Sequence, residues 1–166
     1  LDASSPRSVQ LRIEPVDGDR CRATVHSLGD GEAAFTLHAE ATLVRSIAGP
    51  AADEPGIGRS RTIDADSFYA ALETRGLAFG PSFRGVAEVE RTDGAAVAAI
   101  EPPADLDESG YAVHPAVLDA GIQAVAAALP EQLAGALYLP IGLENVWCAP
   151  GSNRPRRSVV RVDAAA

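Results

Sequence analysis

The chain has 166 residues, 46% of them hydrophobic, which is room for one domain with a real core. Its 14 basic residues are outnumbered by 23 acidic ones, which argues against nucleic acid as a partner. No apolar run approaches membrane-spanning length and no signal peptide is visible, so a cytoplasmic protein with no membrane association is expected.

Three strand-like runs come first. Val9, Leu11 and Ile13 alternate with polar residues, Asp17-Gly18 gives a hairpin signal, and Cys21, Ala23 and Val25 continue the alternation on the return strand. After the loop Gly29-Asp30-Gly31, residues Phe35, Leu37, Ala39, Ala41 and Leu43 again repeat with period two. Three strands with one apolar face are too little to stand alone, so this meander is expected to pack on further structure. Ile47 to Arg61, rich in Ala, Gly and Pro without periodicity, reads as a linker. A helix carrying Phe68, Ala71 and Leu72 follows, capped by Asp64 or Asp66 and closed at Gly76. Strands are expected from Val86 to Arg91 and from Ala96 to Ile100, joined through Thr92-Asp93-Gly94. After an acidic loop a long apolar helix runs to Pro130, and Tyr138–Leu143 and Ser158–Val162 read as further strands. Cys21 and Cys148 fit neither a disulfide framework nor a zinc pattern, so each reads as an inert buried thiol in a reducing compartment. The chain begins with Leu and has no Met, and therefore reads as a piece of something longer.

The most informative stretch is His114-Pro115-Ala116-Val117-Leu118-Asp119-Ala120-Gly121-Ile122-Gln123. Asp119 and Gln123, at i and i+4, project from one side of the helix, and Asp119 is the only ionisable residue from Ala116 to Leu129. Leu118, Ile122, Val125 and Leu129 form the adjacent apolar stripe, the expected core face. A carboxylate beside a buried face, held by a hydrogen-bonding neighbour, is how a fold builds a general acid. The plainer alternative is an Asp solvated near a helix N-terminus, where the dipole favours negative charge.

Upstream lies Gly76-Leu77-Ala78-Phe79-Gly80-Pro81-Ser82-Phe83. With His-Pro-x-x-Leu-Asp-Ala-x-x-Gln and Leu139-Pro140-Ile141, in this order and spacing, it resembles the dehydratase domain of modular polyketide synthases. The resemblance implies an α+β hotdog fold, a long central helix wrapped by an antiparallel sheet, in a tandem double hotdog. On that template residues 1–46 are the last strands of the first hotdog, 47–61 a linker and 62–166 most of the second.

The implied reaction removes water from a 3-hydroxyacyl thioester carried on the phosphopantetheine arm of an acyl carrier protein, with no further cofactor. Asp119 corresponds to the general acid and Gln123 to the residue that orients it. Substrate contacts are expected around Gly76, Leu77, Phe79, Gly80, Pro81, Phe83, His114, Pro115, Leu139 and Pro140. Backbone near Gly76 and Gly80 would lie close to the thioester carbonyl. Two departures stand out: Leu77 replaces a common Tyr, and Leu139-Pro140-Ile141-Gly142-Leu143 replaces the usual Leu-Pro-Phe-x-Trp.

The family's base is a His followed four residues later by Gly and then by Pro. His26, His38 and His114 do not match it, so the isolated chain is expected to be inactive. Arg154, Arg156, Arg157 and Arg161 suit either an acidic carrier protein or a solvated strand edge. The resemblance further implies neighbouring synthase domains and a homodimer. A product-template-type cyclase and a non-catalytic double-hotdog scaffold are the alternative functions.

Overall fold

The computed structural model describes residues 6–45, 60–130, 137–144, 146 and 155–162. Residues 47–59 of the expected linker, Cys148 and Arg154 lie outside the described residues. The chain divides into two compact units, Leu1–Gly49 and Pro50–Ala166.

The first unit is the expected meander. Strands β1 (Arg7–Asp17), β2 (Arg20–Gly29) and β3 (Thr36–Val44) form an antiparallel sheet in that order. Registry aligns the alternating apolar residues into cross-strand rows: Leu11, Val25 and Ala39 in one, Ile13, Ala23 and Ala41 in the next. Within the unit this face is open, with Leu11 62% and Ile13 57% exposed.

In the second unit β4 (Arg61–Asp64), β5 (Val86–Thr92), β6 (Ala95–Ile100) and β7 (Arg157–Arg161) form an antiparallel sheet in the order β4-β5-β6-β7. Strand β4 begins at Arg61, the last residue of the expected linker, and was not expected as a strand. Its four residues are too few to show a period, and pairing with β5 defines them. Helix α1 (Ala65–Glu73) starts at Asp64, whose carboxylate accepts from the Ser67 N–H at 2.8 Å. It ends as expected at Gly76, with φ of +88°. There the Leu77 N–H bonds to Leu72 O at 3.0 Å and the Gly76 N–H to Glu73 O at 2.9 Å, the Schellman pairing. A 3₁₀ turn, Pro81–Phe83, leads into β5.

The long apolar helix forms in two consecutive pieces, α2 (Pro115–Gln123) and α3 (Val125–Ala128). At the interruption the Ser158 hydroxyl donates to Gly121 O at 2.8 Å, occupying the carbonyl that Val125 would use in an unbroken helix. The Arg91 guanidinium donates to Leu129 O at 3.2 Å, satisfying a terminal carbonyl.

The expected core face of this helix is corrected. Leu118 is 48% and Val125 39% exposed, and Ile122 is only partly buried; of the predicted stripe Leu129 alone is buried. The buried face is Ala116, Val117, Ala120, Ala124, Ala127 and Ala128. Small side chains let the helix lie close on the sheet: a Cβ added at Gly85 would stand 3.0 Å from the Ala120 Cβ. The core continues through Val86, Val89, Ala96, Ala98 and Ile100 of the sheet and Phe68, Tyr69 and Leu72 of α1. The strand expected over Tyr138–Leu143 is also absent. Pro140 has no N–H to give a ladder, and the segment instead walls the cavity described below.

Ala120→Leu is expected to cost about 1–3 kcal/mol by overpacking this seam. Leu118→Ala should cost no more than about 0.5 kcal/mol, as at a surface position. Chemical denaturation of both variants checks the pair.

Candidate active site

The helix that presents its alanines to the sheet turns its larger side chains the other way. Ile122, Val125 and Leu129 line a cavity of about 400 Å³, together with Leu72, Leu77 and Phe79 from the α1 end and Leu139 and Pro140 from the later segment. The lining is overwhelmingly apolar. Among the described residues its charged members are Asp119 and Arg75. Asp119 thus meets a space suited to hydrocarbon rather than bulk water.

Its carboxylate is held from one side. Gln123 Nε2 donates to Asp119 Oδ2 at 2.7 Å and to the Phe83 carbonyl at 3.0 Å. Gln123 Oε1 accepts from the Tyr69 hydroxyl at 3.0 Å, and that hydroxyl accepts from the Val86 N–H at 2.9 Å. The direction of this chain is dictated by its ends. A backbone N–H can only donate and the Phe83 carbonyl can only accept, so the NH₂ group faces Phe83 O and Asp119 while Oε1 faces the Tyr69 hydroxyl, whose alternative acceptor, Phe83 O, is farther away at 3.5 Å. Gln123 is 8% and Tyr69 5% exposed, and each of the carboxamide's two ends has a partner.

Sequence reasoning missed Tyr69. It sits on the buried face of α1 beside Phe68 and Leu72, and its ring meets Phe79 edge-on at a centroid distance of 6.0 Å. The available signal was a tyrosine within an apolar helix face, since a buried phenol must find a hydrogen-bond partner. Burial raises its pKa. The negative charge of Asp119 acts in the same direction, while the Val86 N–H and the Arg84 guanidinium, 4.7 Å over the ring, oppose it.

The other predicted site residues fall into two groups. Leu77, Phe79, Leu139 and Pro140 line the cavity with Asp119 and Gln123. Gly76, Gly80, Pro81, Phe83, His114 and Pro115 are not among its lining residues. Of these, Phe83 contributes its carbonyl to Gln123, Gly76 ends α1, and Gly80 and Pro81 start the 3₁₀ turn. Pro115 occupies the first helical turn of α2, and His114 caps that helix, its Nδ1 accepting from the Ala116 N–H at 3.1 Å.

The remaining histidines lie in the first unit. His26 Nε2 is 3.0 Å from Thr24 Oγ1, and His38 Nε2 is 2.7 Å from Ser27 Oγ. Of the arginine cluster, Arg156 pairs with Glu108 at 3.0 Å, and Arg157 and Arg161 belong to β7, a strand at the end of the sheet order.

Because the folded-state pKa of Tyr69 is raised, its contribution to stability is complete below the ordinary tyrosine value of 10.0 and is lost as pH rises through the folded value. An ultraviolet titration of the folded chain should show phenol ionisation above the ordinary value of 10.0, and Tyr69→Phe should remove that step.

Comparison with known proteins bears on the family and the fold. A family model described as the polyketide synthase dehydratase N-terminal domain matches residues 47–166. A phenolphthiocerol/phthiocerol polyketide synthase of Mycobacterium tuberculosis is 35% identical over 157 residues, which cover 88% of this chain and 8% of that protein. The dehydratase domain from the CurF module of curacin polyketide synthase superposes with a TM-score of 0.77 at 20% identity, covering 95% of this chain and 59% of that one. An inactive aspartate-to-asparagine mutant of the CurK dehydratase superposes with a TM-score of 0.61 at 25% identity, covering 75% of this chain and 45% of that one. An inactive histidine-to-phenylalanine mutant of the same dehydratase gives 0.64 at 25% identity, covering 79% and 47%. These likenesses and the antiparallel sheet crossed by α2 and α3 identify an α+β hotdog fold. Matched over 47–166, the chain belongs to the polyketide synthase dehydratase family.

Proposed function

We propose that this chain carries the acid side of a dehydratase that converts a 3-hydroxyacyl thioester on an acyl carrier protein to the 2-enoyl thioester. The observation that supports it is Asp119: among the described residues it is the one acid on the wall of an apolar cavity, with one oxygen held by Gln123. In the CurK dehydratase a histidine-to-phenylalanine mutant and an aspartate-to-asparagine mutant are each inactive, and Asp119 in the Asp-x-x-x-Gln motif is the aspartate this chain offers.

The chemistry asks for such an arrangement. A base takes the proton from the carbon alpha to the thioester, and the freed electron pair becomes the new carbon–carbon double bond. The carbon–oxygen bond at the β position breaks, and the Asp119 proton joins the departing hydroxyl, which leaves as water. Hydroxide alone is a poor leaving group, so acid and base must face one substrate together. The apolar cavity receives the acyl chain and strengthens electrostatic interactions by excluding water.

The base is assigned outside these 166 residues. His26 and His38 lie against hydroxyls of the meander, and His114 is spent on a helix cap. The Asp-x-x-x-Gln motif supports placing 62–166 in the second of two tandem hotdogs and 1–46 at the end of the first, although the matching family description speaks of an N-terminal domain. Carrier protein, neighbouring synthase domains and a second copy are the partners this reading implies.

The deciding experiment is turnover of a 3-hydroxyacyl-pantetheine thioester by the intact domain, followed by mass spectrometry. Asp119→Asn should lower the rate about 10²–10⁴-fold, the usual worth of general acid–base catalysis, with the fold retained. The 166-residue chain by itself should show no dehydration. Full activity in Asp119→Asn would remove Asp119 as the acid. A well-folded intact domain that dehydrates no hydroxyacyl substrate would favour the scaffold or cyclase alternative.

A further inference from the structure

The Tyr69 hydroxyl has no place in the reaction as written, yet it is the link between the Asp119–Gln123 pair and the backbone of β5. We infer that Tyr69 is a positioning residue, anchoring the Gln123 carboxamide and thereby deciding which oxygen of Asp119 carries the catalytic proton. The inference rests on the proposal that Asp119 is the acid.

Gln123 offers an NH₂ edge to Asp119, and an NH₂ group requires an acceptor opposite it. Oδ2 must therefore remain unprotonated on that side even when the carboxyl is neutral. The proton is confined to Oδ1, which has no hydrogen-bond partner among the described residues. An acid whose proton sits on the unoccupied oxygen can deliver it to a substrate; one whose proton is locked against a neighbour cannot.

A glutamine side chain is long and rotatable, so this edge must be held. Phe83 O anchors the NH₂ group, and the Tyr69 hydroxyl anchors Oε1. The Tyr69 hydroxyl is in turn fixed by the Val86 N–H, a group of the sheet itself. Removing the hydroxyl leaves Oε1 buried without its donor, which drives the carboxamide to rotate or swing away in search of one. The ring's own packing does not need the oxygen. Phe68 and Phe79 meet it edge-on and Arg84 stacks over it, all contacts that phenylalanine keeps.

Tyr69→Phe in the intact domain tests this. The expected result is a kcat about tenfold lower, because a proton displaced from Oδ1 raises the barrier to its delivery without changing how the acyl chain binds, with KM within about twofold. In a Gln123→Ala background the same substitution should have no further effect, because its influence travels through that side chain. Equal losses in both backgrounds overturn the inference.

A spectroscopic arm needs no turnover. In the wild-type chain the Gln123 carboxamide protons should exchange slowly with solvent. Tyr69→Phe should abolish that protection. Carboxamide protons that exchange in the wild type as freely as those of an exposed glutamine overturn the inference, even if the variant fails to fold. Wild-type kinetics in Tyr69→Phe beside an inactive Asp119→Asn overturn it while leaving the acid assignment standing; full activity in Asp119→Asn overturns both.

Discussion

The seat of one helix on one sheet governs the second unit. Ala120, Ala124 and Ala128 are fully buried and carry nothing beyond Cβ, so α2 and α3 lie close against strands that are themselves built with Ala96 and Ala98. Gly85 completes the fit, since a methyl group there would already crowd Ala120. A helix bedded on its small residues must present its larger ones elsewhere. Ile122, Val125 and Leu129 therefore wall the cavity, and Asp119, on the same side, reaches it from a rigid element instead of a loop.

The polar side of the site follows from the same seating. Gln123 is buried at the border of core and cavity, where an unpaired carboxamide would be costly. Its partners come from three places: Tyr69 on α1, the carbonyl of Phe83 at the end of the 3₁₀ turn, and Asp119 one helical turn back. The glycine- and proline-containing stretch before β5 thus serves the site through a backbone carbonyl as well as through the cavity walls of Leu77 and Phe79. Family membership and geometry meet at this point. The Asp-x-x-x-Gln segment lies within the family-matched residues 47–166, and the hydrogen bonds converge on it.

Much of the fold was legible in the sequence because its signals are local. Period-two alternation with Asp17-Gly18 identified the first hairpin, and Thr92-Asp93-Gly94 identified the turn between β5 and β6. Asp64 and Gly76 bounded α1 by capping chemistry that needs only a few neighbouring residues. Strand β4 was not legible, since four residues show no period and their partner lies far along the chain. The strand expected at 138–143 failed for the converse reason: an apolar run resembles a strand whether it pairs or lines a cavity.

Of the candidate site, the sequence by itself determined that Asp119 and Gln123 share one side of a helix, because helical spacing alone guarantees it. It did not determine which apolar face is core. Hydrophobicity favoured Leu118 and Val125, but close packing against a sheet selects for small size, and the alanines won. Nor did it reveal Tyr69, which is 54 residues from Gln123 in the chain and becomes its neighbour only when α1 and α2 meet across the core. Spacing along a helix is local geometry, whereas the satisfaction of a buried carboxamide depends on every element that closes around it, and only the tertiary structure supplies those.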